Sequence, residues 1–260
     1  MTPLKGSVRW SQIQGPREYQ EDSVLHVPLP GSKRGNAHLI GVFDGHGGAW
    51  VARECARKTP ELFDGNCEDS AEALRQLIER LDARTRFAQM GTTVSLAHIV
   101  ESERIVTTAV VGDSPIIVLD DSGALQLSEE HNVRSNQSER DAAIARGGVY
   151  QNGYICIEKD GKGLQLSRAL GDRALGHLLS RTPTIASYTL GTRSIVAVAS
   201  DGLIDPDHFT DREQDAVRVV RKLKRGMSPK RLIESQDPKR VHDNTSLIVW
   251  RPTRWSRWFA

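Results

Sequence analysis

VSLAHIVESERIVTTAVVGDSPIIVLDDSGALQL, residues 94–127, contains four β-rich runs with no helical stretch between them. Val94–Ile99, Ile105–Val111, Ile116–Leu119 and Leu125–Leu127 are dense in β-branched and aliphatic side chains, which suit a pleated, buried surface. The breaks between them have turn chemistry: Glu101–Arg104 is polar, and Asp120-Asp121-Ser122-Gly123 is a hairpin-type loop. The pattern predicts an antiparallel meander.

The same texture extends outward. Val8–Ile13, Ser23–Val27 and His38–Phe43 read as strands before it, and Gly153–Ile157, Gln165–Ser167, Thr184–Tyr188, Ser194–Ala199 and Asn244–Trp250 after it. Helical spacing of apolar residues marks Trp50–Phe63 and Ser70–Phe87, the second opened by Asp69 or Ser70 as N-cap. Ser138–Arg146 stops at Gly147-Gly148, and Arg212–Leu223 with Pro229–Ser235 makes a final helical pair. Strands and helices come in blocks without βαβ alternation, so the expectation is antiparallel sheets covered by helices. With no repeat, low-complexity tract or linker, the 260 residues are read as a single domain, its core at about 8–250 and a tail at 251–260.

Composition narrows the function classes. Thirty-five basic against thirty-three acidic residues leave a formal charge of +2, without the basic excess of a phosphate-backbone binder, so no nucleic-acid partner is expected. The local run Arg218, Arg221, Lys222, Lys224 and Arg225 reads as the solvated face of a helix. Cys55, Cys67 and Cys156 form neither a disulfide framework nor a CxxC pair. Met1–Trp10 lacks the apolar run of a signal peptide, and no stretch spans a bilayer, so a soluble, cytoplasmic monomer is expected.

Five short segments place acidic residues beside glycine or at the end of an apolar run. They are residues 17–22, 42–48, 110–114, 199–205 and 242–245. The run Leu39–Phe43 is apolar throughout, so Asp44 at its end lies near a core, where an isolated carboxylate is costly. No Lys or Arg adjoins Asp44, Asp201 or Asp243. Converging carboxylates repel unless a cation sits among them, and oxygen-only donors suit Mg²⁺ or Mn²⁺. A single Asp-Gly pair is ordinarily a turn; five such segments together point to a metal centre.

The ordered set resembles the PP2C-type, or PPM, metal-dependent protein phosphatases over about Val8 to Trp250. Arg-x-x-Gln-Glu-Asp stands at 17–22, Phe-Asp-Gly-His-Gly-Gly at 43–48, Gly-Thr-Thr at 91–93 and Val-Gly-Asp-Ser at 111–114. Glu-Glu-His follows at 129–131, Arg-Gly-Gly-Val at 146–149 and Leu-Ser-Arg-Ala-Leu-Gly-Asp at 166–172. Ser-Asp-Gly-Leu-Ile-Asp at 200–205 and Asp-Asn-Thr-Ser at 243–246 complete it.

The resemblance implies an α+β fold, a four-layer α-β-β-α sandwich of two antiparallel sheets flanked by helices. It implies hydrolysis of phosphoserine and phosphothreonine in proteins by a water bridging two Mn²⁺ or Mg²⁺ ions, without a phosphoenzyme. In that scheme Asp44 bridges the ions, the Gly45 carbonyl helps hold one, and Asp201 and Asp243 hold the other. Glu21 and Asp22 bind metal directly or through water. Arg17 binds phosphate, the alternative being a salt bridge to Glu18 or Glu21. His46 resembles the general acid, the alternative being a structural histidine. Asp113 with Asp201 and Asp205 resembles a third, weaker metal site, the alternative for Asp113 being a loop cap. For His131 and Asp172 the expected work is satisfying neighbouring backbone.

The chain departs from the family pattern at Pro115, where arginine is usual, and in Arg173–Pro183, a short version of the flap. The tail, with Arg254, Trp255, Arg257, Trp258 and Phe259, is expected to pack on its own domain and not on a membrane. The expected partners are phosphorylated protein substrates and an opposing serine/threonine kinase. A non-enzymatic binding module on the same fold is the competing reading; such modules typically lack one or more metal aspartates, whereas Asp44, Asp201 and Asp243 are all present.

Overall fold

Apolar runs that are buried on both faces build the centre of the molecule. In the computed structural model, which describes residues 4–159, 161–205 and 211–253, they form two five-stranded antiparallel sheets. The first runs Gly6–Ile13, Thr245–Pro252, Ile195–Ala199, Ile116–Leu119, Leu125–Leu127; the second runs Thr184–Thr189, Ile105–Val111, Val94–Val100, Gly35–Phe43, Ser23–Ser32. The helices are α1 (Trp50–Leu62), α2 (Ser70–Thr85), α3 (Gln137–Ala145), α4 (Arg212–Lys224) and α5 (Pro229–Glu234). Asp69, Asn136, Asp211 and Ser228 cap α2 to α5 by accepting first-turn N–H groups.

Alternation along each strand sorts the side chains. Ile116, Val118, Val196, Val198 and Ile248 pack against Ile40, Val42, Ala97 and Ile99 of the second sheet. The intervening Ile117, Leu119, Ala197 and Val249 turn toward Val219, Leu223, Leu232 and Ile233 of α4 and α5. On the other side, Leu39, Phe43 and Leu96 meet Val51 and Cys55 of α1 and Leu74, Leu77 and Leu81 of α2. This order of packing fits the expected four layers. Among the described residues no helix is long and apolar enough to cross a membrane.

Two local expectations are corrected. Residues 94–127 are not one meander: the first two strands belong to the second sheet and the last two to the first. The chain changes sheets at Gly112–Pro115. Gly112 takes φ +110, which strongly favours glycine, and a Cβ there would meet the Thr93 side chain at 2.6 Å. Pro115 has no N–H to extend the ladder it leaves, and its carbonyl accepts from Ala199 N–H at 3.0 Å, starting the new one. Gln165–Ser167 is not a strand of the small sheet Val149–Gln151, Tyr154–Cys156, Gly163–Leu164. Instead, Gln165 O accepts from Val133 N–H and Ser167 N–H donates to His131 O, which ties this stretch to residues 131–133. The tail residues 254–260 lie outside the described residues.

One buried histidine gives the fold a pH dependence. His98 is 1% exposed on the second sheet, with Nδ1 3.0 Å from Ser70 Oγ and its ring edge-on to Phe63. Burial, and then the Arg34 guanidinium, hold its pKa down to about 4. The unfolded chain takes up this proton below about pH 6.5 and the folded chain resists until about pH 4, so stability is full above that range and falls as pH drops through it. Replacing the ring with leucine removes that loss. Between about pH 7 and pH 5, wild type should lose about 2 kcal/mol of urea-unfolding free energy relative to His98→Leu. Parallel losses in the two proteins would contradict it.

Candidate metal centre

Strand register gathers the acidic segments at one end of the two sheets. Ile13 pairs with Thr245 and Ala199 with Leu247, so the loop carrying Arg17 and Glu21 meets the turns carrying Asp201 and Asp243. Ser23 pairs with Phe43, which sets Asp22 beside Asp44. The crossover between sheets delivers Asp113. A cleft of about 290 Å³ opens there, lined by Arg17, Glu21, Asp44, Gly45, His46, Asp113, Asp201 and Asp243. Thr93, Tyr154 and residues 163–166 complete its walls.

Asp22 and Asp205 are not among the lining residues. Asp22 is buried behind the cleft, where it accepts from Ser246 Oγ at 2.7 Å. Asp205 is also buried, at φ +61, and its N–H donates to Asp215 Oδ2 at 3.2 Å.

Small polar residues of the recognised motifs fix the aspartates in place. Thr93 N–H and Thr92 Oγ1 both donate to the Asp44 carbonyl, while Asp44 N–H donates to Thr93 Oγ1 at 3.1 Å. Ser114 Oγ donates to Asp44 Oδ2 at 3.3 Å. Asn244 accepts from Glu21 N–H at 2.8 Å and donates to the carbonyls of Gln14 and Tyr19, stitching the Asp243 segment to the Arg17 loop. Asn132 donates to Asp113 Oδ2 at 2.9 Å, and Arg212 donates to its carbonyl.

The electrostatics are those of crowded anions. Asp44 and Asp201 keep some surface open to the cleft and are enclosed by protein elsewhere. Burial first, then Asp22, Asp201, Asp113 and Asp243, pushes the Asp44 carboxyl well above the usual carboxylate range. Burial, then Asp113 and Asp243, does the same to Asp201. Burial pushes Asp22 up to about 6 against the hydrogen bonds of Ser246 and Ser200. Arg17 Nη2 lies 2.5 Å from Asp243 Oδ2, so its ion-pair partner is Asp243 and neither Glu18 nor Glu21. One arginine at the rim does not offset this set. A hard dication held by all-oxygen donors would, and the residues fit one.

A tighter acidic group lies elsewhere. The ligand atoms of Glu129, His131 and Glu139 lie within 4.8 Å of one another. These groups are already engaged. Arg168 clamps Glu139 through Nε at 3.1 Å and through Nη2, and Ser167 Oγ also donates to it. His131 Nδ1 accepts from Gly112 N–H at 3.1 Å, which leaves the proton on Nε2, 2.9 Å from Thr184 Oγ1. Thr184 Oγ1 donates in turn to Glu129 Oε2. Burial, then Arg168, lowers the His131 pKa to about 4, so the ring stays neutral. This is a structural network bracing the turn at Gly112 and Asp113, as the sequence reading of His131 expected.

Asp172 does more than expected. Its Oδ2 lies 2.7 Å from His46 Nε2, with the carboxylate buried and the ring partly open. Gly91 makes room for the pair: a Cβ there would sit 2.0 Å from Asp172 Oδ2 and 2.4 Å from His46 Nε2. The Gly-Thr-Thr motif at 91–93 therefore serves both His46 and Asp44. Tyr154 and residues 163–166 add a wall for which the motifs give no signal. None of Arg173–Pro183, read as the flap, lines the cleft.

A model of the family described as Protein phosphatase 2C matches residues 7–240. Probable protein phosphatase 2C 11 of Arabidopsis thaliana is 27% identical over 263 residues, covering 95% of this chain and 67% of that protein. Protein phosphatase 1L of Bos taurus is 28% identical over 233 residues, covering 80% and 61%. The chain thus spans about two thirds or less of these two relatives. A crystal structure of a phosphatase from a pathogenic strain of Toxoplasma gondii matches with TM-score 0.76 at 16% identity, over 97% of this chain and 95% of that one, a likeness of fold.

Proposed function

The chain belongs to the protein phosphatase 2C family, and from that premise we propose that it hydrolyses phosphoserine and phosphothreonine in proteins with the help of divalent cations. The observation that carries this reading is the meeting of Asp44, Asp201 and Asp243 with Arg17 and His46 in one cleft.

Asp44 would be shared between two cations, with the Gly45 carbonyl on one and Asp201 and Asp243 on the other. Glu21 and the recessed Asp22 would support them through water. Asp113, with Asp201 and Asp205, would serve a third, weaker ion. Oxygen donors favour Mg²⁺ or Mn²⁺. When bound, such ions lower the pKa of a bridging water and neutralise phosphate charge.

The chain's own side chains supply the rest. Arg17, its side chain 49% exposed, can turn its planar fork from Asp243 to two phosphate oxygens. The Asp172 contact fixes the plane of the His46 ring, which lines the cleft where a departing seryl or threonyl oxygen would need a proton. Direct displacement by water needs no nucleophilic side chain, and in this reading the cleft carboxylates are left to hold the cations. Residues 8–250 act in this reading as one phosphatase domain, supported by the pairing of Gly6–Ile13 with Thr245–Pro252. We read the protein as a cytoplasmic monomer opposing a serine/threonine kinase.

The test is phosphate release from phosphoserine and phosphothreonine peptides. Turnover should appear with Mn²⁺ or Mg²⁺ and fall at least about a hundredfold in excess EDTA. Undiminished turnover in chelator would contradict the reading.

A further inference from the structure

We propose that a second cleft, at the opposite end of the strands that carry the metal aspartates, docks an acidic, leucine-bearing segment of a partner protein. Ile195–Ala199 leads into Asp201, and Thr245–Pro252 leads away from Asp243. At about 3.3 Å per residue, the far ends of these strands lie about 20–30 Å from those aspartates. Two adjoining hollows of about 710 and 360 Å³ open there and share Lys224 and Arg225.

Their walls are cationic and their floor is apolar. Arg193 comes from the loop before Ile195, Arg221, Lys224 and Arg225 from the end of α4 and its cap, and Arg251 from the end of the last strand. No acidic side chain among the described residues lines either hollow. Among the described residues none of the five cations makes an ion pair, whereas on the same helix Arg212 pairs with Glu130 and Arg218 with Asp215. A last-turn cation is ordinarily explained by the helix dipole. That does not account for Arg193 and Arg251, which reach the same place from other segments. The exposed Val217 and the half-buried Leu125 supply apolar contact between the charges, over a base of buried Ile195 and Leu223.

Unpaired cations around an apolar floor complement a segment that alternates carboxylates with leucines. Charge does not favour residues 254–260 as the occupant, because they add Arg254 and Arg257 and no acidic side chain. The inference concerns recognition and stands apart from the chemistry proposed above.

The test uses the full chain and a fluorescein-labelled peptide of glutamate and leucine, with a glutamine-for-glutamate counterpart, read by anisotropy at low and moderate salt. The acidic peptide should bind at least about tenfold more tightly than the neutral one, and less tightly as salt rises. A charge-reversed Arg221→Glu, Lys224→Glu, Arg225→Glu protein should lose that preference, and so should Arg193→Glu, which changes a different segment. Turnover of a small aryl phosphate should be unchanged in both, which separates failure of docking from failure of the active site. Equal affinity of the two peptides, or of wild type and both variants, would overturn the inference. So would binding confined to oligonucleotides or phosphatidylserine vesicles in the same assay.

Discussion

Asp44→Asn is expected to lower phosphopeptide turnover by about three orders of magnitude while making the chelator-treated protein more stable. The two effects have one cause. Asp44 lies among Asp22, Asp113, Asp201 and Asp243, and burial plus these neighbours disfavours its charge. A carboxyl whose folded pKa lies above its unfolded value destabilises the fold at neutral pH, where it must ionise. An amide of the same shape removes that repulsion, for a gain of the order of 1 kcal/mol in EDTA. It also removes a charged donor from any shared cation site, and loss of such electrostatic stabilisation costs about two to three orders of magnitude or more in rate. Thermal unfolding in EDTA and in Mn²⁺ reads both halves: the variant should unfold later than wild type in chelator and gain less from metal. Lower stability in chelator, with normal metal response and turnover, would remove Asp44 from the centre.

Arg168→Leu is expected to be among the most destabilising single changes, costing about 3–5 kcal/mol in urea unfolding. Glu139 is 5% exposed, and its charge is answered by the Arg168 fork and the Ser167 hydroxyl. Arg168 also donates to Thr182 O at 2.8 Å, linking α3 to the segment before Thr184–Thr189. Removing the guanidinium leaves a buried carboxylate without its ion-pair partner. Adding Glu139→Gln should recover part of the loss. No recovery would mean that packing, and not the stranded charge, dominates.

These residues also show what was legible in the chain. Alternation and turn chemistry located most strands, because runs such as Ile116–Leu119 must be buried on both faces, and caps such as Asp69 locate helix starts. The carboxylates were legible because each adjoins a strand end, where local sequence fixes position. The sheet change at Gly112–Pro115 was not, since a turn between two apolar runs reads alike whether the chain folds back or crosses over. The pairing of His46 with Asp172 spans 126 residues and that of Glu139 with Arg168 spans 29. Periodicity carries no information about such partners. The wall at Tyr154 and residues 163–166 comes from short strands whose composition gives no sign of what they face.

Anomalous diffraction at the manganese edge, from crystals grown with Mn²⁺, locates the cations themselves. Two peaks should lie in the cleft, both in contact with Asp44, one of them also with Asp201 and Asp243. No peak there, or manganese held only by Glu129, His131 and Glu139, would contradict a two-cation centre built on Asp44.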